Sequence, residues 1–385
     1  MNKRMSVLLI AVVLGVMSLS ACQTATPAPS VAAEVPAVKP TLAPGSVQLV
    51  AQGATFPLPV YDVWTKSYQF IDPAVNITYQ GTGSGAGKKA IVDGTVDFAG
   101  SDSVLKDEYQ KVPDLQMLPI LAGAVVPIFN LQSAEKDADG KVVMIKELVF
   151  DRQTLADIFH AKIIKWNDSA IANLNPNAKL PDTTITVIHR ADSSGTTEIF
   201  TNALASFSAD WKENVGAGST VEWPVDKNGN GLGAKGNPGV AVAVQNTANS
   251  IGYVELSYAI ANNLSFAKLI NKAGKTVMAD AASIQSDMAD FASAFDSRLN
   301  AKIVDGSGEG SWPITGYTYL IIRMESMKDC TKAGKVVEFI HWALTDERAA
   351  KIAGDLGYAT LPTAVTDMVS AKLSAVTCNG QPVSK

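Results

Sequence analysis

His189-Arg190-Ala191-Asp192-Ser193-Ser194-Gly195-Thr196 follows directly on the β-branched run Ile185-Thr186-Val187-Ile188. A strand that turns into a helix through these residues offers backbone N–H groups, hydroxyls and a guanidinium to an anion. Comparable turns stand at 53–57, Gly53-Ala54-Thr55-Phe56-Pro57, and at 81–87, Gly81-Thr82-Gly83-Ser84-Gly85-Ala86-Gly87. Three such corners meeting in one cleft would build a site for a small oxyanion.

Around these corners strands alternate with helices, the pattern of an α/β protein with mostly parallel sheets. Strands are expected at 47–50, 75–79 and 96–100, with helices following Pro57 and Ser84. The apolar stretch 117–131 is too short to span a bilayer and contains Pro119, Gly123 and Pro127, so it reads as a buried strand. A hairpin around Asp137-Ala138-Asp139-Gly140 and a helix from Arg152 to Phe159 follow. The stretches 185–188, 240–245, 251–254 and 318–322 continue the strand count. Helices are expected from Ser194 to about Phe207 and near 332–344 and 346–355.

Residues 1–21 read as an export signal, with Lys3 and Arg4 ahead of an apolar run. Leu19-Ser20-Ala21-Cys22 has the form of a bacterial lipobox, which makes Cys22 the lipidated first residue and the membrane anchor. Residues 22–46, rich in Thr, Ala, Pro and Val, form a tether. The remaining 339 residues exceed what one core usually supports. The whole chain has 32 basic and 37 acidic residues; losing Lys3 and Arg4 moves the net charge from −5 to −7. That balance excludes nucleic acid as a partner and leaves an anion to be held by local dipoles and one or two cations.

Cys330 and Cys378 are the only other cysteines, and in an exported chain they form a candidate disulfide. His160, His189 and His341 have no metal-type spacing, and 226–231 begins like a calcium loop but has Asn237 where the bidentate glutamate belongs. No metal or cofactor is expected. Gly81–Gly87 matches a dinucleotide fingerprint variant, a weak signal in an exported chain. Ser193 or Ser194 with His189 as base would make a hydrolase, but no nucleophile elbow is present.

With these residues in hand, the chain resembles the phosphate-binding proteins and lipoproteins of phosphate-specific ABC importers. The segments that carry the likeness are 53–57, Tyr79-Gln80-Gly81-Thr82-Gly83-Ser84, Phe98-Ala99-Gly100-Ser101-Asp102, 190–196, Ile251-Gly252-Tyr253-Val254-Glu255 and Trp312-Pro313-Ile314-Thr315. The resemblance implies a type II periplasmic-binding-protein fold: two lobes, each with a mixed or parallel sheet flanked by helices, joined by two hinge crossings near Val126 and Ser311. Lobe I would hold 47–125 and 311–385, and lobe II 126–310. It further implies a monomeric binding protein, not an enzyme, that passes inorganic phosphate to permease subunits. Thr55, Phe56, Ser84, Ser194, Gly195 and Thr196 would donate to the ion, Arg190 would be its cation, steadied by Asp192, and Asp102 its acceptor. His189 stands where the family often has a second arginine, and Gly85 replaces a common serine. A secreted phosphatase, or an oxyanion sensor or adhesion module on the same fold, are the competing readings.

Overall fold

A computed structural model describes residues 45–383; Cys22, the export signal and most of the tether lie outside them. Eight strands form the backbone of the large sheet: β1 (Val47–Gly53), β2 (Val75–Gly81), β3 (Phe98–Ser101), β4 (Leu115–Lys136), β5 (Thr186–Arg190), β6 (Gly231–Ala234), β7 (Ser250–Glu255) and β8 (Thr315–Arg323). Their order is β2-β1-β3-β8-β4-β7-β5-β6, and two short strands at Val142–Ile145 and Ser265–Phe266 also pair with β4. The pairings β2-β1, β1-β3, β7-β5 and β5-β6 towards the two ends are parallel, whereas β3-β8, β8-β4 and β4-β7 in the middle are antiparallel.

The separate sheets expected from the sequence are instead one hydrogen-bonded path, because β4 is common to both halves. Its residues 115–124 pair with β8, and from Val125 to Asn130 it pairs with β7. Every residue from 115 to 129 is buried, as an apolar run without alternation requires. Pro119 cannot donate to the ladder, and the register slips there by one residue between Thr318 and Tyr319. The change of partner falls beside the return of the chain: Val125 N–H donates to the Ile314 carbonyl at 2.8 Å, and the Trp312 indole N–H to the Val125 carbonyl at 3.0 Å.

Four helices position the corners: α1 (Leu58–Tyr68), α2 (Ser84–Asp93), α3 (Gly195–Phe207) and α4 (Gly236–Asn246). Pro57 precedes α1, where its missing N–H is no loss. Gly53 has φ +148° and lies against Gly100, so close that an added Cβ would fall 2.0 Å from the Gly100 carbonyl oxygen. That contact brings the ends of β1 and β3 together. Ser194 caps α3, its Oγ accepting from Thr197 N–H at 3.0 Å.

The stretch 240–245 is helical, not the strand expected there. Its alternating valines read as a strand, but it lies inside α4, with Val240, Ala241 and Val244 buried and Val242 half exposed. The period is helical because Gly236, at φ +70°, turns the chain just ahead of it. The stretch 226–231, which begins like a calcium loop, ends in β6, which pairs in parallel with β5. The cysteines Cys330 and Cys378 form a disulfide, tying the C-terminal hairpin to the helix Cys330–Thr345.

Candidate functional site

The residues named from the sequence fall at the helix starts of α1, α2 and α3 and at the ends of β3 and β5, and the structure brings them together. Helix geometry leaves the first-turn N–H groups without intrahelical acceptors, so each corner supplies donors to partners outside its own backbone ladder. Ser84, at the start of α2, joins two of the corners. Its Oγ accepts from Gly195 N–H at 3.1 Å and from Asp102 N–H at 3.2 Å, and donates to Asp102 Oδ2 at 3.4 Å. Gly195 sits so close to Asp102 that an added Cβ would lie 2.4 Å from the aspartate's own. Gly85 N–H donates to the Ser193 carbonyl at 3.2 Å, and a Cβ there would strike Ser193 at 2.5 Å.

Arg190 ends β5 with its guanidinium almost wholly buried. Nε donates to Asp192 Oδ1 at 2.7 Å and Nη2 to Oδ2 at 2.5 Å, a fork in which both oxygens are used. Nη1 is left to face Thr196 Oγ1 at 3.4 Å. Burial works against the Asp192 charge, but the hydrogen bonds and charge of Arg190 outweigh it and hold the carboxyl below the usual carboxylate range. The pair therefore stays ionised, and Asp192 also receives Gly236 N–H at 3.0 Å.

Asp102 is the opposite case. Burial pushes its carboxyl up to about 7, against the pull of Thr318, Arg190 and Ser84 in the other direction. Thr318 Oγ1 donates to its Oδ1 at 2.7 Å. A cavity of about 300 Å³ borders Asp102 on the side of Glu198, Lys302 and Tyr317. Between the corners themselves the walls are in contact.

Thr55 and Phe56 are buried, and their carbonyls accept from Tyr258 at 2.5 Å and from Tyr358 at 2.7 Å. Thr55 Oγ1 accepts from Asn237 twice, from its N–H at 3.1 Å and from Nδ2 at 3.0 Å. Nδ2 also donates to Thr196 Oγ1 at 3.1 Å. All nine residues named from the sequence, Asp192 included, thus belong to one connected patch.

Asn237, Tyr253, Thr318 and Glu255 were not foreseen. Tyr253 donates or accepts at Thr197 Oγ1 (2.7 Å) and takes Arg190 N–H at 3.2 Å, fixing the backbone that carries the guanidinium. Glu255 is wholly buried and pushed up to about 8 by burial, against the hydrogen bonds of Ser257 and Tyr358. The one signal that could have found Asn237 is Gly236-Asn237-Pro238, a helix start that the strand reading of 240–245 concealed.

A hydrolytic reading finds little support. His189 Nδ1 meets the Arg190 carbonyl at 3.1 Å and Nε2 meets Asp226 at 2.8 Å, so neither ring nitrogen serves a serine. Its ring stacks on Trp223 with centroids 5.0 Å apart. Among the described residues no group of three or more His, Cys, Asp or Glu is placed to hold a metal.

Residues 38–347 match the PBP superfamily domain. The chain is 39% identical over 328 residues to the phosphate-binding protein PstS of Xylella fastidiosa, covering 85% of each chain. It is 38% identical over 325 residues to that of Pasteurella multocida, covering 84% of this chain and 89% of the other. Among solved structures, a phosphate-binding protein from Stenotrophomonas maltophilia superposes with a TM-score of 0.64 at 22% identity, over 88% of this chain and all of that one. A high-affinity periplasmic phosphate-binding protein solved with bound phosphate gives 0.64 at 21% identity, over 84% and 93%. These likenesses establish the α/β periplasmic phosphate-binding-protein fold.

Proposed function

Because this chain belongs to the PstS family of phosphate-binding proteins, we propose that it captures inorganic phosphate outside the cytoplasm and hands it to the permease of a phosphate ABC importer. It carries out no chemistry on the ion. Thr55, Phe56, Ser84, Ser194, Gly195 and Thr196 donate to the phosphate oxygens, Arg190 supplies the cation and Asp102 the acceptor. The observation that carries the reading is the junction at Ser84 Oγ. There Gly195, from after the first passage along β4, and Asp102, from before it, share one hydroxyl beside the buried guanidinium.

Two lobes, 47–125 with 311–385 and 126–310, close on the ion about crossings near Val126 and Ser311. The contacts of Val125 with Ile314 and Trp312, where β4 changes partner, support that placement. A ligand held by both lobes favours the closed state through contacts that only that state offers. The lipobox at Cys22 tethers the protein, as a monomer, to the outer face of the membrane.

Selectivity follows from Asp102. Phosphate keeps at least one proton at neutral pH and sulfate keeps none. A carboxylate can accept the phosphate hydroxyl but meets sulfate as a second bare negative group. Calorimetry on refolded, ligand-stripped protein tests the proposal: phosphate should bind with sulfate at least about 100-fold weaker. Equal affinities, or release of phosphate from a phosphomonoester, would overturn it in favour of a general oxyanion module or a phosphatase.

A further inference from the structure

We infer that Asn237 is a positioning residue that sets the proton polarity of the site, turning the hydroxyls of Thr55 and Thr196 into obligate donors. The inference rests on the phosphate reading above and adds to it a residue that touches no ligand. Asn237 is fully buried at the start of α4. Its amide orientation is fixed, because Glu255 N–H donates to it at 3.0 Å and only the carbonyl oxygen can accept. The NH₂ end therefore faces the two threonines, one hydrogen for each, at 3.0 and 3.1 Å.

A hydroxyl has two acceptor positions and one hydrogen. At Thr55 both acceptor positions are filled, by Asn237 Nδ2 and Asn237 N–H. At Thr196 they are filled by Asn237 Nδ2 and, at 3.4 Å, by Arg190 Nη1. Neither hydroxyl can then present a lone pair to the cleft, and each has its hydrogen left for an anion's oxygen. One amide so aligns donors that come from before and after the first passage of β4. Asp102 remains the acceptor among the candidate contacts, which is the pattern a singly protonated tetrahedral anion requires.

Substitution by aspartate separates this role from packing, since the carboxylate introduced by N237D is nearly isosteric with the amide but accepts where the amide donates. Phosphate affinity is measured calorimetrically for wild type, N237D and N237A from pH 5 to 8, each expressed relative to wild type at the same pH. At pH 8, N237D should bind about 100-fold more weakly, because both threonine hydroxyls turn toward the new carboxylate. N237A should lose only about tenfold. The N237D deficit should shrink toward pH 5 as the carboxyl takes up a proton and donates again. Thr55→Val should cost about tenfold in wild type and little in N237D, where the hydroxyl no longer faces the ion. An N237D milder than N237A, a deficit independent of pH, or additive losses with Thr55→Val would overturn the inference. N237A binding like wild type would overturn it even if N237D failed to fold. Wild type that bound no phosphate would instead remove the functional reading itself.

Discussion

Among the described residues, carboxylates are buried around Asp102 and around Asp287, and the two keep different company. Around Asp102 the partners are hydroxyls of Ser84 and Thr318 and, nearby, the Arg190 guanidinium. Around Asp287, beside the loop 305–311, they are backbone donors, the hydroxyls of Ser311 and Thr315, and further acids. Gly306 N–H donates to Asp287 Oδ1 at 2.9 Å, and Gly308 N–H and Ser311 Oγ donate to Asp290 at 2.8 and 2.7 Å. Asp305 pairs with Arg152 at 2.5 Å. Burial pushes Asp287 up to about 8, with Asp290 and Asp305 adding to the rise. The first region gathers donors from several elements where the walls of the corners meet; the second spends its donors on holding a loop. A perturbed carboxyl alone marks neither as a site, and the converging donors do.

The sharpest break of that contrast is Arg190→Ala, which leaves the half-buried Asp192 carboxylate without its cation. Phosphate affinity should fall by more than about 10³-fold, and compaction on adding phosphate, read by small-angle scattering, should disappear. Compaction that persists would count against the bridging role. Asp102→Asn should lower the ratio of phosphate to sulfate affinity by about 10- to 100-fold, measured by titrating both anions. Ser84→Ala should weaken phosphate by about tenfold without altering that ratio; a changed ratio would move the selectivity away from Asp102.

The smallest effect should come from the second region. The folded protein holds the Asp287 proton up to about pH 8, whereas the unfolded chain releases it near pH 4. Its contribution to stability is therefore complete in acid and lost as pH rises through that interval. Asp287→Asn should flatten this fall, making the ligand-free protein about 1–2 kcal/mol more stable at pH 8 by thermal melting. Phosphate affinity should not change. Reduced affinity in that variant would erase the distinction between the two regions.

Much of this was legible in the sequence where function rests on consecutive residues. The corners at 53–57, 81–87 and 190–196 are strand-to-helix turns, and their glycines, hydroxyls and arginine announce themselves by type and order. Buried strand 117–131 was legible too, since an apolar run broken by Pro119 and Pro127 suits neither a bilayer span nor a helix. What stayed hidden is non-local. Thr318 reaches Asp102 across 216 positions, and Asn237 reaches Thr55 across 182. The alternating valines of 240–245 satisfy a strand period as well as a helix period, and only Gly236, with its left-handed backbone, decides between them. The single sheet path was equally out of reach, because which strands β4 pairs with is settled by packing, not by its own residues.

The missing side chains at Gly85 and Gly195 have a consequence of their own. Each stands where a methyl group would collide with Ser193 or with Asp102. The spacing of the opposed walls is thus metered by hydrogen atoms, the smallest shims available. An alanine at either place would prop those walls apart, blunting the grip on a guest of this size while leaving its charged contacts chemically intact.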